Sequence, residues 1–300
     1  MSNERATIRP VTLSRLVELT HICASGAKTT EQVETALEVT HRRARETLLE
    51  ASRISLIGIV NSDSENPSYE TTNVGDAFLD AVQNERWDAV SDVLETRSPH
   101  YGAFLEILAD EHPCTLDRLL EKLEEAGKFS SYKFNQTSVE VVGDWAERLG
   151  RVHRNAFTGA YYPVRQSDPP ANFPYVLLSA FDSLESRAGV NLRQRYLSIP
   201  ELRETVCERL GCTREAFDRA LVDLVSQNVG KLELSGAPID TGAKEARFGI
   251  KEISLAKDDG LVSTSQSTEQ VMTGVEQFDK HYYYVAIHDR DLTYSTEANS

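Results

Sequence analysis

Short helical stretches followed by a pair of alternating runs constrain the fold of this chain most strongly. Apolar residues recur at helical spacing over 13–24, 29–37 and 41–53, and strand-like runs follow over 54–60 and 69–72. Gly26 is expected to end the first helix, and Thr40 to cap the third. A further helix is predicted to begin near Asn73. The order predicts three small helices, a β-hairpin and a fourth helix.

The third helix is predicted over His41–Arg53 and has two different sides. Ala44, Leu48 and Ala51 recur at i, i+4 and i+7, which predicts a buried stripe. The residues expected to point elsewhere are Arg42, Arg45 and Arg53, and Leu49 is expected to pack under a neighbouring loop.

The segment THRRARETLLEASRISLIGIV, followed by YETTNVGDAFLDAV, resembles the winged helix-turn-helix domains of prokaryotic, archaeal-type transcription regulators. The resemblance covers about residues 12–84 and includes a Tyr-x-x-Thr-x-x-Gly-like element at the end of the hairpin. In that family the third helix reads DNA. The resemblance therefore implies a winged-helix fold and a DNA-binding third helix.

The same order of elements is predicted twice more. A looser match covers about 100–165, and a third unit follows a Pro-rich linker at 167–174. In this third unit, 231–235 is expected to pair with 248–255 around a long loop, 258–274 to be loose, and Tyr282–Ile287 to form a last strand. We therefore predict a mainly helical α+β chain of tandem winged-helix units. Their boundaries are 1–98, 99–166 and 167–300.

Charge is distributed unevenly over the 300 residues, whose formal net charge is −15. Residues 63–128 carry −11 and 166–300 carry −7, whereas 1–62 carry +1 and 129–165 carry +2. A strong negative net charge normally opposes the binding of nucleic acid. The electrostatic field near each surface, however, determines whether a polyanion can bind there. The 23 Arg against 9 Lys, in an acidic chain, resemble proteins from salt-loving cells, so we expect a halophilic protein.

Signatures of catalysis are scarce. The sequence holds no G-x-x-x-x-G-K-[ST], G-x-S-x-G or H-E-x-x-H motif. Its four cysteines have neither zinc-ligand nor disulfide-framework spacing, and buried helix cysteines are the favoured interpretation of Cys207 and Cys212. We expect no enzyme activity, cofactor or metal. No long apolar run or signal-like start occurs, which favours a cytoplasmic protein without membrane contact.

Candidate DNA contacts begin in the predicted third helix, whose first turn and a half carries His41, Arg42, Arg43 and Arg45. The N-terminal part of a helix in the major groove meets base edges, and arginine binds guanine or phosphate. The alternative is a solvated arginine face that balances neighbouring glutamates.

A second set of candidates lies in the 99–166 unit. Gln136 and Thr137 can contact adenine or phosphate, although residues before a helix more often cap its amides. Arg151, Arg154 and Arg165 lie on or beside a predicted hairpin and can follow a phosphate backbone. Alternatively, these arginines pack against the acidic 63–128 segment of the same molecule.

The sequence thus favours a non-catalytic, DNA-binding transcription regulator. The main alternative is a winged-helix interaction subunit of a larger DNA-processing or defence assembly, with the acidic 63–128 segment or the third unit facing partner proteins. An enzyme whose site the sequence hides is a weaker third possibility.

Overall fold

Helices and small sheets alternate along the chain in the computed structural model, which confirms the predicted α+β class. The structure describes residues 7–61, 66–126, 131–187, 196–236, 246–257 and 261–295. The helices are α1 (Leu13–Ala24), α2 (Thr30–Leu37), α3 (His41–Arg53), α4 (Asn73–Gln83), α5 (Trp87–Arg97), α6 (Pro99–Asp110), α7 (Leu116–Glu125), α8 (Gln136–Arg148), α9 (Phe173–Arg187), α10 (Ile199–Leu210), α11 (Arg214–Gln227) and α12 (Thr268–Val271). The strands are β1 (Lys28–Thr29), β2 (Ile57–Ile59), β3 (Ser68–Thr71), β4 (Val152–Arg154), β5 (Tyr161–Pro163), β6 (Tyr196–Ser198), β7 (Leu232–Ser235), β8 (Ile250–Leu255), β9 (Val262–Ser267), β10 (Val275–Gln277), β11 (Lys280–Tyr282) and β12 (Tyr284–Ile287).

The chain divides into two compact units. The first comprises Met1–Val152 and Lys251–Gln266, and the second comprises His153–Ile250 and Ser267–Ser300. The division into three units at 98 and 166 stays a prediction.

Helix caps in the first unit follow the sequence closely. The side chains of Thr12, Thr29 and Thr40 accept backbone N–H groups at the starts of α1, α2 and α3, and Thr29 forms a full capping box with Gln32. At the other end of α2, Glu38 adopts a left-handed conformation with φ 52°. These local signals place a short turn between α2 and α3, as predicted.

A three-stranded antiparallel sheet completes this part of the first unit. The strand order is β1-β3-β2, and the registers pair Lys28 with Tyr69 and Ile57 with Thr71. Thr72 then caps α4 by accepting the N–H groups of Val74 and Gly75. The succession is helix, strand, helix, helix, strand, strand, with the last strand between the other two.

The second unit repeats that succession with α9, β6, α10, α11, β7 and β12. Its sheet has the order β6-β12-β7, so the last strand again lies between the other two. Val285 of β12 and Phe217 of α11 are fully buried in the core of this unit.

The pairing predicted between 231–235 and 248–255 is wrong. β7 pairs with β12, whereas β8 pairs with β9. The segment 258–274, predicted to be loose, contains β9 and α12 among its described residues. Alternation along a strand reports which face is buried, but the partner strand depends on tertiary packing.

The segment Lys251–Gln266 belongs to the first unit because it packs on α8. Lys251 Nζ lies 3.2 Å from Asp144 Oδ1 and 3.0 Å from Glu147 Oε1. Arg148 donates to the carbonyls of Glu252, at 2.7 Å, and Ser265, at 2.9 Å.

Candidate nucleic-acid interface

Helix α3 presents the largest group of predicted site residues on one element. Its buried side holds Ala44, Leu48 and Ala51, as the periodicity predicts. The opposite side is exposed over the first turn and a half, where His41, Arg42, Arg43 and Arg45 lie. The amphipathic pattern alone therefore positions these four side chains at the surface.

Two of the exposed arginines at the start of α3 are paired with a glutamate of the same helix. Arg42 Nε lies 3.1 Å from Glu46 Oε1, and Arg43 Nη1 lies 3.3 Å from Glu46 Oε2. The side chains of Arg42 and Arg43 are nevertheless 87% and 59% exposed. Exposed pairs of this kind contribute about 0.3–0.5 kcal/mol, so both guanidinium groups can exchange the glutamate for a phosphate at low cost.

Arg45 makes no ion pair with any residue that the structure describes, and it lies beside the sheet. Burial raises the pKa of Tyr69 on β3, and the positive charge of Arg45 opposes that increase. Arg45 is thus an exposed positive charge that acts on the Tyr69 hydroxyl. Arg45 is the least neutralised arginine of α3.

Acidic residues border the N-terminus of α3. His41 Nδ1 lies 3.0 Å from Glu34 Oε2 of α2, and Glu38 is exposed at the end of that helix. The site is therefore a basic stripe with a carboxylate edge.

Leu49 was expected to lie under a loop, but its side chain reaches the surface and it is 36% exposed. It follows Arg42 and Arg45 at i, i+3 and i+7, so the three share one face of α3. Helical spacing from the arginines was the signal that could have identified it as a surface residue of the stripe.

Arg53 was expected to point away from the core, and that expectation is wrong. Its side chain is only 10% exposed and pairs with the fully buried carboxylate of Glu50. The same carboxylate accepts the backbone N–H of Arg9 at 3.1 Å. A buried carboxylate requires such partners. Arg53 therefore pairs with Glu50 inside the unit and does not belong to the exposed face of α3.

Gln136 and Thr137 lie exposed in the first turn of α8. The amide Nε2 of Gln136 donates to Glu140 Oε1 at 2.9 Å. Asn135, just before them, caps the helix by accepting the N–H of Ser138 at 2.8 Å. The capping alternative therefore holds for Asn135, while Gln136 and Thr137 remain at the surface.

Arg151 contacts the acidic segment of its own molecule. Its guanidinium nitrogens lie 3.8 Å from Asp88, 3.5 Å from Asp92 and 3.8 Å from Glu95, all on α5. The side chain is 34% exposed. This arrangement matches the intramolecular alternative and leaves Arg151 partly neutralised.

Arg154 and Arg165 belong to the second unit and have different surroundings. The Arg154 guanidinium carbon lies 3.7 Å from the ring centroid of Phe248 and 4.8 Å from that of Tyr161. Such stacking holds Arg154 as a packing residue. Arg165 is exposed, and its backbone N–H donates to the Gly211 carbonyl at 2.8 Å.

The structure thus gathers His41, Arg42, Arg43 and Arg45 on one helix, but it gives the other predicted residues separate environments.

Within the described ranges, no group of three or more His, Cys, Asp or Glu side chains is placed to hold a metal ion. No described helix has both the length and the apolar character needed to cross a membrane. Comparison with known protein families and with curated proteins found no match for the chain.

Proposed function

We propose that the protein is a non-catalytic DNA-binding protein, a transcription regulator that places α3 in the major groove. The observation that carries this proposal is the exposed stripe of Arg42, Arg45 and Leu49 on α3, flanked by Arg43 and His41. Three arginines in the first turn and a half of one helix give a local positive field in an acidic chain.

The element order supports a winged-helix interpretation. Helix, strand, helix, helix and two strands, with the last strand central, occur in both units, and α6, α7, α8, β4 and β5 follow a similar order without the first strand. In a helix-turn-helix, the helix at the position of α3 is the one that enters the groove. We therefore propose tandem winged helices, of which the first binds DNA.

The equivalent helix of the second unit has a different surface. On α11, the exposed charged residues are Glu215, Arg219 and Asp223, and Arg219 donates to the Ser167 carbonyl at 2.6 Å. Arg214 at the start of α11 is paired with Glu204 inside the unit. The charge balance thus favours α3 over α11 as the element that contacts DNA.

Each side chain of the stripe has a contact that its chemistry allows. Arg42 and Arg45 can bind phosphate oxygens or the O6 and N7 acceptors of guanine, and Leu49 can pack on a thymine methyl group. Glu46 would release Arg42 and Arg43 when phosphate oxygens replace its own. Binding should therefore depend steeply on salt concentration.

The test is fluorescence anisotropy of a mixed-sequence DNA duplex, titrated at several KCl concentrations. The double variant Arg42→Ala/Arg45→Ala is compared with Arg86→Ala/Arg118→Ala, which makes the same change in net charge at exposed positions outside α3. We expect the α3 variant to bind at least about tenfold more weakly, with the slope of log K against log salt reduced by about 0.9 per lost phosphate contact. The control should bind as the wild type does. Equal binding by all three proteins, or binding by none, would contradict the proposal.

A second candidate function is docking of a basic partner protein on α5. Asp88 and Asp92 are spaced by one helical turn, and their side chains are 90% and 68% exposed although Arg151 lies nearby. A basic partner would compete with Arg151 for these carboxylates. An oligolysine probe that binds the wild type at low salt, but not Asp88→Asn/Asp92→Asn, would support this function. It would be favoured if the wild type bound no DNA.

A further inference from the structure

Two cysteines meet at the end of α10 in the second unit. The Sγ atoms of Cys207 and Cys212 are 3.8 Å apart, and both residues are fully buried. The other two cysteines, Cys23 and Cys114, lie in the first unit. Cys207 and Cys212 thus form a matched pair of thiols within one folded core.

The helix end explains why this C-x4-C spacing brings the thiols together. Gly211 ends α10 in the left-handed conformation, with φ 62°, and its N–H donates to the Cys207 carbonyl at 2.8 Å. The turn folds the chain back, so that Cys212 returns onto the last turn of α10. A β-branched or other L-residue at Gly211 would strain this turn.

We propose that Cys207 and Cys212 form an oxidative modification site, which a peroxide converts into an intramolecular disulfide. A disulfide needs the sulfurs about 2.05 Å apart, so the two atoms must approach by roughly 1.8 Å. Rotation of two short side chains supplies much of a movement of this size. Burial of both thiols favours a small oxidant over a bulky disulfide reagent.

The two sulfurs have different roles in this reaction. The contact with the Cys207 sulfur lowers the pKa of Cys212, whereas burial raises the pKa of Cys207. The Cys212 thiolate therefore attacks one peroxide oxygen, the O–O bond breaks, hydroxide leaves, and a sulfenic acid forms. The Cys207 sulfur then attacks the Cys212 sulfur, the S–O bond breaks, and the oxygen leaves as water with the Cys207 proton. Overall, two thiols are oxidised and one hydrogen peroxide is reduced to two waters.

The experiment treats the folded wild-type protein with hydrogen peroxide, quenches it, and alkylates the remaining thiols before intact-mass and peptide analysis. We expect two of the four thiols to be lost, the unalkylated mass to fall by two hydrogen atoms, and one cross-linked species joining Cys207 to Cys212. Dithiothreitol should restore all four thiols.

Control variants separate this pair from general oxidation. Cys23→Ser/Cys114→Ser should form the same disulfide to the same extent, whereas Cys207→Ser and Cys212→Ser should form none. If a serine variant fails to fold, the wild-type peptide map decides alone. Retention of all four thiols, cross-links involving Cys23 or Cys114, or oxygen adducts without a 207–212 cross-link would each overturn the proposal.

Discussion

His153 is partly buried in the second unit, and its Nδ1 atom is buried with no hydrogen-bond partner among the described residues. Its ring lies edge-on to Tyr162, with centroids 5.8 Å apart. Burial lowers the pKa of His153 well below its ordinary value, and the positive charge of Arg214 lowers it further. His153 is therefore neutral in the folded protein.

This burial predicts a loss of stability in mild acid. In the unfolded chain a histidine binds a proton below about pH 6.5, whereas His153 in the folded protein stays neutral. The free energy of unfolding therefore falls as the pH decreases from about 6.5 towards the folded pKa. The loss from this group approaches about 1.4 kcal/mol per pH unit. We expect His153→Phe, which keeps a ring, to remove this component in urea unfolding curves between about pH 7 and pH 5.

The matched control is His21→Gln on the exposed end of α1. It should keep the pH dependence of the wild type. A His153→Phe protein whose urea midpoint falls with pH as steeply as that of the wild type would contradict the assignment.

Some properties of the candidate site residues follow from the local sequence, and others depend on distant parts of the chain. The exposure of Arg42 and Arg45 follows from helical period, which is a local property of α3. The surroundings of Arg151 and Arg154 depend on α5 and on Phe248, which lie far away in the sequence. The charges near Arg151 and Arg154 in the sequence therefore do not predict the contacts of these two residues.

At the scale of elements, the β10–β11 hairpin carries strain at its tip. Phe278 and Asp279 form its two-residue loop with φ 52° and 58°, between the registered pair Gln277 and Lys280. Left-handed conformations at both loop positions define a hairpin turn that strongly prefers Asn-Gly. The Phe278 side chain is 84% exposed and so offers little packing in return.

We expect Phe278→Asn/Asp279→Gly to stabilise the protein by about 1 kcal/mol, since non-glycine residues are costly in the left-handed region. In thermal unfolding the second unit should melt about 2–4 °C higher. Val229→Asn, which replaces another exposed apolar residue outside this turn, should leave the melting temperature unchanged. An equal rise in both variants would show that removal of an exposed apolar side chain, and not relief of the turn, raises the melting temperature.

Strand pairing shows where element-level prediction ends. The strands over 232–235 and 250–255 were expected from alternation and are present, but each pairs with a different strand from the one predicted. A strand neighbours the next strand in sequence in roughly two-thirds of cases, and here β12 closes the sheet instead. Its burial between β6 and β7, with Val285 fully covered, provides the physical reason.

For the whole molecule, the charge of −15 predicts salt-dependent stability. Like charges repel in the compact state, and added salt screens this repulsion within a Debye length of about 10 Å at 0.1 M. We expect the thermal midpoint to rise as KCl increases from low to molar concentration. Sucrose at matched osmolality favours burial without screening charge, so it should raise the midpoint less. A midpoint insensitive to KCl would argue against adaptation to salt.

The sequence by itself determined the helix starts, the α2–α3 turn and the two sides of α3, because caps, left-handed residues and helical period act over a few positions. Only the tertiary structure decided that β12 lies between β6 and β7 and that Lys251–Gln266 packs on α8. It also decided that Arg53 forms a buried ion pair with Glu50. These choices depend on burial and on partners that lie far apart in the chain. Local patterns constrain the shape of each element, whereas desolvation and pairing across distance select its neighbours.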